Sequence, residues 1–584
     1  MTRIGPFAAA LLVGLRASYA AIVEYNWNIT YTSANPDGLY ERQVIGVNGQ
    51  WPIPPVEATI GDTVVINIHN ALDVPTALHA HGMFQNNTNY MDGPSMVTQC
   101  PIPPQYDFTY RFNITQHGTY WIHSHYMGQY LDGLRTPFVL HNTNETYQYD
   151  QDVLVPLEDW YHQQNSELLD QFLSVYNPTG AEPVPDSGLI LSNANASLSF
   201  LPGKTYRLRV INMSGFSTFS FSIDNHTLDV IEVDGVEVQR TSVDTVYLTA
   251  AQRVSVLVTA KNTTSLNYYL HADMDTVMFD TVPEALQPNI TIPVYYDRTH
   301  ANFAPSQDQG IDGAFDDISL TPVVVEDAVN PDHVIQLDID FDVTTDGINR
   351  GMFNSLPYLP PKTPTLNTLL YQANYSLSTE VYGPQTQAFI LNHLDMVQVI
   401  LNNKDGNAHP FHLHGHVFQV VARGDGYYDP VVNASIQLNL TNPMRRDTIR
   451  VPGGGYTIIR FRADNPGVWF FHCHIEWHLE SGLAATFIEA PDVAQQRMSL
   501  PQEFIDLCSA NGISPTGNAA GKDGLDLSGA PDGITLIYDG FTAKGQGGMA
   551  ACIVCALIGI GTIIWYALAD PQKQARQIVQ SKQE

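Results

Sequence analysis

The sequence predicts an all-β ectodomain, built as three Greek-key β-sandwich or barrel domains, followed by one C-terminal transmembrane helix. Three observations lead there. One segment recurs three times, as Gly61-Asp-Thr-Val-Val-Ile-Asn-Ile-His-Asn70, Gly203-Lys-Thr-Tyr-Arg-Leu-Arg-Val-Ile-Asn212 and Asp395-Met-Val-Gln-Val-Ile-Leu-Asn-Asn403, and such self-similarity marks a repeated unit. Short alternating apolar runs bounded by Gly, Pro and Asn fill each copy, the pattern of an antiparallel sandwich. Near the end, Gly547–Ala569 carries no charge and is about as long as a bilayer core demands.

Taken in order, residues 1–20 read as a secretory signal, with Arg3, an apolar core Ile4–Leu15 and the small-residue site Ser18-Tyr-Ala20. The three copies are expected at 21–145, 146–300 and 301–510. A Gly/Asp/Ser-rich stretch, 511–547, reads as a stalk. Residues 548–569 would span the membrane and 570–584 form a cytoplasmic tail, where Lys573, Arg576 and Lys582 follow the positive-inside trend. Gly548, Gly559 and Gly561 suit close contact between membrane helices.

Twelve Asn-x-Ser/Thr sequons, at Asn28, Asn86, Asn113, Asn144, Asn195, Asn212, Asn225, Asn262, Asn289, Asn374, Asn433 and Asn439, fit an exported glycoprotein. A net charge of −32 excludes nucleic acid as a partner. Of the five cysteines, Cys552 and Cys555 fall in the span and Cys473 among histidines. Cys100 and Cys508 remain, and an oxidising compartment favours a bridge between them.

Half of the 20 histidines lie in four runs: His79-Ala-His81, His123-Ser-His125, His409-Pro-Phe-His412-Leu-His414 and His472-Cys473-His474-Ile-Glu-Trp-His478. A lone His-x-His is commonly a satisfied pair. Four such runs, one with a cysteine, are a metal signature. Zinc would want four ligands, usually with several thiolates. Ten imidazoles and one thiolate suit several coppers, because a trigonal thiolate–imidazole set makes a blue-copper centre. On a strand, His472 and His474 share a face and Cys473 points to the other, so the chain itself would wire two metal sites together.

Comparing the copies sharpens this. Thr76, Ser124 and Gln129 of the first stand where His409, Cys473 and His478 stand in the third. The first copy therefore cannot build a thiolate site, yet keeps four histidines. The middle copy has Phe221-Ser-Ile223 at the paired-histidine position and reads as a spacer. Four histidines from the first copy and four from the third must meet between those copies, which closes the chain into a triangle.

These four motifs, in order and spacing over residues 22 to about 508, resemble the multicopper oxidases, whose domains are cupredoxin-like. The resemblance implies four coppers. A type 1 copper would take His409, Cys473 and His478, a type 2 copper His79 and His412, and a type 3 pair His81, His123, His125, His414, His472 and His474. Leu483 falls at the axial position and cannot ligate, implying a three-coordinate type 1 site of fairly high potential. Asp92 and Glu476 match the family's proton-relay acids.

Within that family the chain looks most like the fungal membrane-anchored ferroxidases that work with an iron permease. The resemblance places iron-site residues at Glu182, Asp280, Tyr358 and Asp405. Glu182 and Asp405 would hydrogen-bond His478 and His409. Carboxylates favour the harder ferric ion and so ease its formation from Fe(II). The expectation is a plasma-membrane enzyme, or one of a vacuolar membrane, that oxidises Fe(II) with O2 and passes Fe(III) to a permease. Its rivals are a laccase oxidising phenols or aryl amines, and a catalytically silent copper-binding or interaction module.

Overall fold

The computed structural model describes residues 20–263, 265–307, 315–537, 543–569 and 571–582. The signal expected at 1–20 lies outside them except for its last residue, as do Asp570 and 583–584 of the tail. Contacts divide the chain into two compact units, one ending at Thr535 and one beginning at Leu536.

Among the described residues the first unit contains six sheets, two for each repeat. The repeated segments become equivalent strands, Thr63–Asn70, Thr205–Asn212 and Met396–Asn403. Each lies inside its sheet, antiparallel to one neighbour and parallel to an earlier strand: Ile22–Ala34, Gln151–Trp160 and His333–Val343 respectively. The sheets are therefore mixed, which corrects the purely antiparallel expectation. The cause is the crossover that brings the opening strand of each copy back beside the repeated strand.

A buried asparagine ends each repeated strand, and its amide ties down the loop that follows. Asn70 donates to Val74, Ile102 and Pro103 carbonyls, Asn212 to Ser217 and Leu248, and Asn403 to Asn407 and Pro452. Asn212 has no exposed surface, so its sequon is closed to glycosylation in the folded protein.

The third copy shares apolar core with both others. Trp477, fully buried, packs on Tyr161 and Phe172 of the middle copy, while Val468 and Phe470 join the first copy's core. Each such buried apolar side chain contributes about 1.5–3 kcal/mol. A Cys100–Cys508 disulfide links the first copy to the helix Gln502–Ala510, as the cysteine arithmetic anticipates. Part of the segment read as a stalk is folded onto this unit. Ala519 N–H donates to Val381 O and its carbonyl accepts from Lys362, and the buried Asn518 side chain closes its own loop on Gly524 and Asp526. Composition hid this, because the segment packs through backbone bonds and one asparagine.

In the second unit, the helix Ala543–Leu568 contains a stretch, Lys544–Leu568, whose most apolar 18 residues have a mean hydropathy of 2.3, none of them buried. It is long and apolar enough to cross a membrane. A short helix, Pro571–Gln580, follows.

Candidate metal centre

The strand Gly467–Cys473 is buried along its whole length. It pairs with His409–Leu413 on one side and Ala484–Glu489 on the other. Its period of two sends side chains to alternate faces. Phe471 and Cys473 face one way, with Phe471 against Phe411 and Phe487. Phe470 and His472 face the other, where Phe470 lies 5.8 Å from His125 and 6.0 Å from His414. Across the copy boundary, Leu78–His81 sits on Gly118–Ser124 with His79 opposite His123.

This register gathers all eleven expected ligands. Within each of four groups the potential donor atoms lie within 4.8 Å of one another: His409, Cys473 and His478; His81, His123 and His474; His125, His414 and His472; and His79, His81 and His412. The last three form one continuous cluster, taking histidines from the first and third copies. Leu483 is fully buried beside the thiol, accepting the Cys473 N–H at 3.1 Å and donating to the His478 carbonyl at 3.0 Å.

Hydrogen bonds orient the rings so that one nitrogen is engaged and the other points into the group, as metal-binding histidines require. Outer nitrogens of His79, His123, His412 and His472 donate to the carbonyls of Asp92, Ser124, Asp447 and Cys473, at 2.7, 2.9, 3.0 and 2.9 Å. His414 donates to Asp92 Oδ2 at 2.8 Å and His81 to Asp447 Oδ1 at 3.2 Å. Facing inward, His79 Nε2, His81 Nδ1, His123 Nε2 and His412 Nε2 are buried without a hydrogen-bond partner among the described residues, as are both nitrogens of His474. Orphaned buried nitrogens of this kind call for an ion.

The electrostatics agree. Burial and neighbouring imidazoles hold His81, His123, His125, His414, His472 and His474 in the neutral, ligating form, well below the usual histidine range. Burial pushes the Cys473 thiol up, so a bound metal is what makes it a thiolate. One soft sulfur among neutral imidazoles fits copper and lacks the thiolates of structural zinc.

Two of the four expected iron-site residues meet the Cys473 group. His478 Nε2 donates to Glu182 Oε1 at 2.6 Å, and His409 Nε2 to Asp405 Oδ2 at 3.0 Å. These side chains are 17% and 31% exposed, whereas both rings are about 1% exposed, so the carboxylates connect buried imidazoles to solvent. Burial raises the Asp405 carboxyl, but the bond from His409, the charge of that ring and the Asn407 N–H together outweigh it and leave the group below the usual carboxylate range. Asp280 is exposed on a loop whose residues 277–279 line a cavity of about 370 Å³ together with Gly406, Asn407 and Ala408; that places its loop beside Asp405. Tyr358 goes elsewhere. Its buried ring lies 5.1 Å from Phe470, on the His472 face, and its hydroxyl has no partner among the described residues. The period of the strand separates it from the carboxylates.

Of the expected relay acids, Asp92 is buried between His79 and His414, and Glu476 is buried near Tyr130 and Glu480. Burial raises both glutamates, Glu480 to about 7. Three residues escape the sequence pattern. Asp447 holds His81 and His412, Arg253 pairs with Asp447, and Phe341 covers His409 and His478 at 5.2 and 4.7 Å. Neither of the first two carries a spacing signal: Arg253 opens the strand Arg253–Thr259, and Asp447 lies between the pair Arg445–Arg446 and the strand Thr448–Val451.

The sequence pattern described as Multicopper oxidase matches residues 358–493, 28–145 and 151–297, which contain every grouped histidine and Cys473. The chain is 42% identical to the iron transport multicopper oxidase fetC of Epichloe festucae, over 99% of this chain and 94% of that protein. The chain is a multicopper oxidase. This oxidase is also 44% identical to the iron multicopper oxidase fer1 of Mycosarcoma maydis, over 97% of its own length and 96% of the relative's. It superposes on the crystal structure of Fet3p, a multicopper oxidase that functions in iron import, with TM-score 0.85 and 38% identity, covering 88% of this chain and 99% of that one. A laccase from Botrytis aclada gives 0.76 and 31%, covering 85% and 94%. Family membership brings type 1, type 2 and type 3 copper sites to the oxidase, and the orphaned donors fit them.

Proposed function

We propose that the oxidase is a ferroxidase, oxidising Fe(II) at the Cys473 face and reducing O2 to water at the buried cluster. The observation that carries this is the pair of carboxylates, Glu182 and Asp405, each bonded to the outer nitrogen of one type 1 imidazole. Carboxylates on that surface bind Fe(II), favour Fe(III), and offer a bonded path for an electron into His478 and His409. The iron-transport names of the relatives point the same way. Asp280, on the neighbouring loop, adds a third acid. Tyr358 serves the cluster side by packing on Phe470.

His409, Cys473 and His478 would hold the type 1 copper, His79 and His412 the type 2, and His81, His123, His125, His414, His472 and His474 the type 3 pair. The coppers supply one-electron oxidation at the Cys473 site and four-electron reduction of O2 to two waters at the cluster. Cys473 is covalently continuous with His472 and His474, so the backbone joins the two sites. Asp92 and Glu476 supply protons, Asp92 directly beside the cluster imidazoles. We assign residues 21–145, 146–300 and 301–510 to its three domains. The apolar helix anchors the oxidase in the plasma membrane with the copper unit outside, where Fe(III) passes to an iron permease.

The laccase reading has the Botrytis structure in its favour. The two separate on Glu182→Ala. The ferroxidase reading expects Fe(II) turnover to fall while aryl-amine or phenol turnover persists, and equal loss of both refutes it. Oxygen uptake on adding ferrous salt excludes a silent module.

A further inference from the structure

Two aspartates support the buried cluster, and they are related as the first and third copies are. Asp92 accepts from His79 of its own copy through its backbone carbonyl, and from His414 of the other copy through its carboxylate. Asp447 accepts from His412 of its own copy through its carbonyl, and from His81 of the other through its carboxylate. Each aspartate thus clamps one histidine from each side of the boundary.

They differ in what stands behind them. Asp92 Oδ1 has no hydrogen-bond partner among the described residues. Both oxygens of Asp447 are gripped by Arg253, with Nη1 to Oδ1 at 2.8 Å and Nη2 to Oδ2 at 2.7 Å. This fork-to-fork pair fixes the carboxylate plane as a single point charge could not. Arg253 has no exposed surface and comes from the middle copy, at the head of the strand Arg253–Thr259. Its Nε donates to Thr119 O of the first copy at 3.0 Å, and its own N–H donates to Asp234 at 2.8 Å. One side chain therefore touches all three copies. The glycine after His81 makes room for it. At Gly82 the backbone has φ +88°, and a Cβ there would stand 2.7 Å from Asp447 Oδ2 and 2.9 Å from Arg253 Nη2.

We propose that Arg253 is a positioning residue for the oxygen-reducing cluster, acting through Asp447 to set the rings of His81 and His412. The fork fixes the Asp447 carboxylate. The carboxylate takes the His81 Nε2–H, which leaves Nδ1 for metal, and the same residue's carbonyl holds His412 with Nε2 inward. The copy that carries no ligand of its own thereby supplies the member that locks two ligands. The inference rests on His81 and His412 being copper ligands, as proposed above.

The test uses the full-length, copper-loaded protein carrying Arg253→Lys, Arg253→Met or the double change Arg253→Met with Asp447→Asn. The readouts are copper per chain after mild chelation, the type 2 paramagnetic signal and the blue thiolate absorption. For Arg253→Met, blue absorption should match wild type while cluster copper is held about 10–100-fold more weakly, the usual cost of losing a group that orients a ligand. The double change leaves no unpaired buried acid, so it carries the test if the single change fails to fold. Its cluster copper should be weakened equally. Arg253→Lys keeps the charge without the fork and should shift the type 2 signal. Wild-type copper retention with an unaltered type 2 signal in any folded variant overturns the inference. A wild-type chain that binds fewer than four coppers instead fails the ligand assignment.

Discussion

The first and third copies place three residues at the same positions and do opposite things with them. In the third, His409, Cys473 and His478 bring their donor atoms within 4.8 Å of one another. In the first, Thr76, Ser124 and Gln129 occupy those positions and bond to each other. Thr76 Oγ1 and Ser124 Oγ both donate to Gln129 Oε1, at 2.7 and 2.9 Å, and Gln129 Nε2 donates to Pro75 O at 2.7 Å. All three are buried. The sandwich therefore delivers three convergent side chains in either copy. Whether they hold a metal is decided by the donors, and a neutral trio satisfies itself where a thiol and two imidazoles need an ion. The copies also differ at the rim, since the two imidazoles of the third copy's trio carry partly exposed carboxylates, Asp405 of the same copy and Glu182 of the middle one.

The largest expected effect removes the difference outright. Cys473→Ser gives the third copy the first copy's residue, and blue absorption and iron-dependent oxygen uptake should both drop to background. Next comes the rim. Glu182→Ala should lower kcat/KM for Fe(II) about 100-fold, or roughly 2.7 kcal/mol of transition-state stabilisation, with phenol turnover within about twofold of wild type. Asp405→Ala, whose bond to its imidazole is longer, should cost about tenfold; steady-state kinetics with both substrates measure each. A third change loosens the staple between the copies. Cys100→Ser/Cys508→Ser should cost about 2–5 kcal/mol, seen as a lower thermal midpoint with an unchanged KM for Fe(II). The smallest effect on turnover comes from building the missing site. Thr76→His/Ser124→Cys/Gln129→His should add a second blue absorption while iron turnover stays within about twofold, because no rim carboxylates serve it. A folded variant without that band would show that convergence alone is insufficient.

The grouped histidines and Cys473 were legible because metal chemistry admits few residue types and strands impose a period of two. Thus His472-Cys473-His474 announced both faces, and the Asn-ended repeat announced equivalent strands. Asp447 and Arg253 were not legible, since Asp447 sits in a charged run between two strands and neither charge has a spacing to betray its partner 194 residues away. Tyr358 matched by its flanks but lies on the far face of a strand it touches only in three dimensions. The parallel pairings arise from crossovers, which leave no mark on local alternation.

The buried donor groups draw on both the first and the third copy. His81 sits with His474, and His125 with His472. No fragment that stops short of His472 can complete either group, because one donor of the first and two of the second come from the third copy. Metal acquisition by these groups is thereby confined to a chain that has folded past that point, so copper supply acts as a checkpoint on nearly whole molecules.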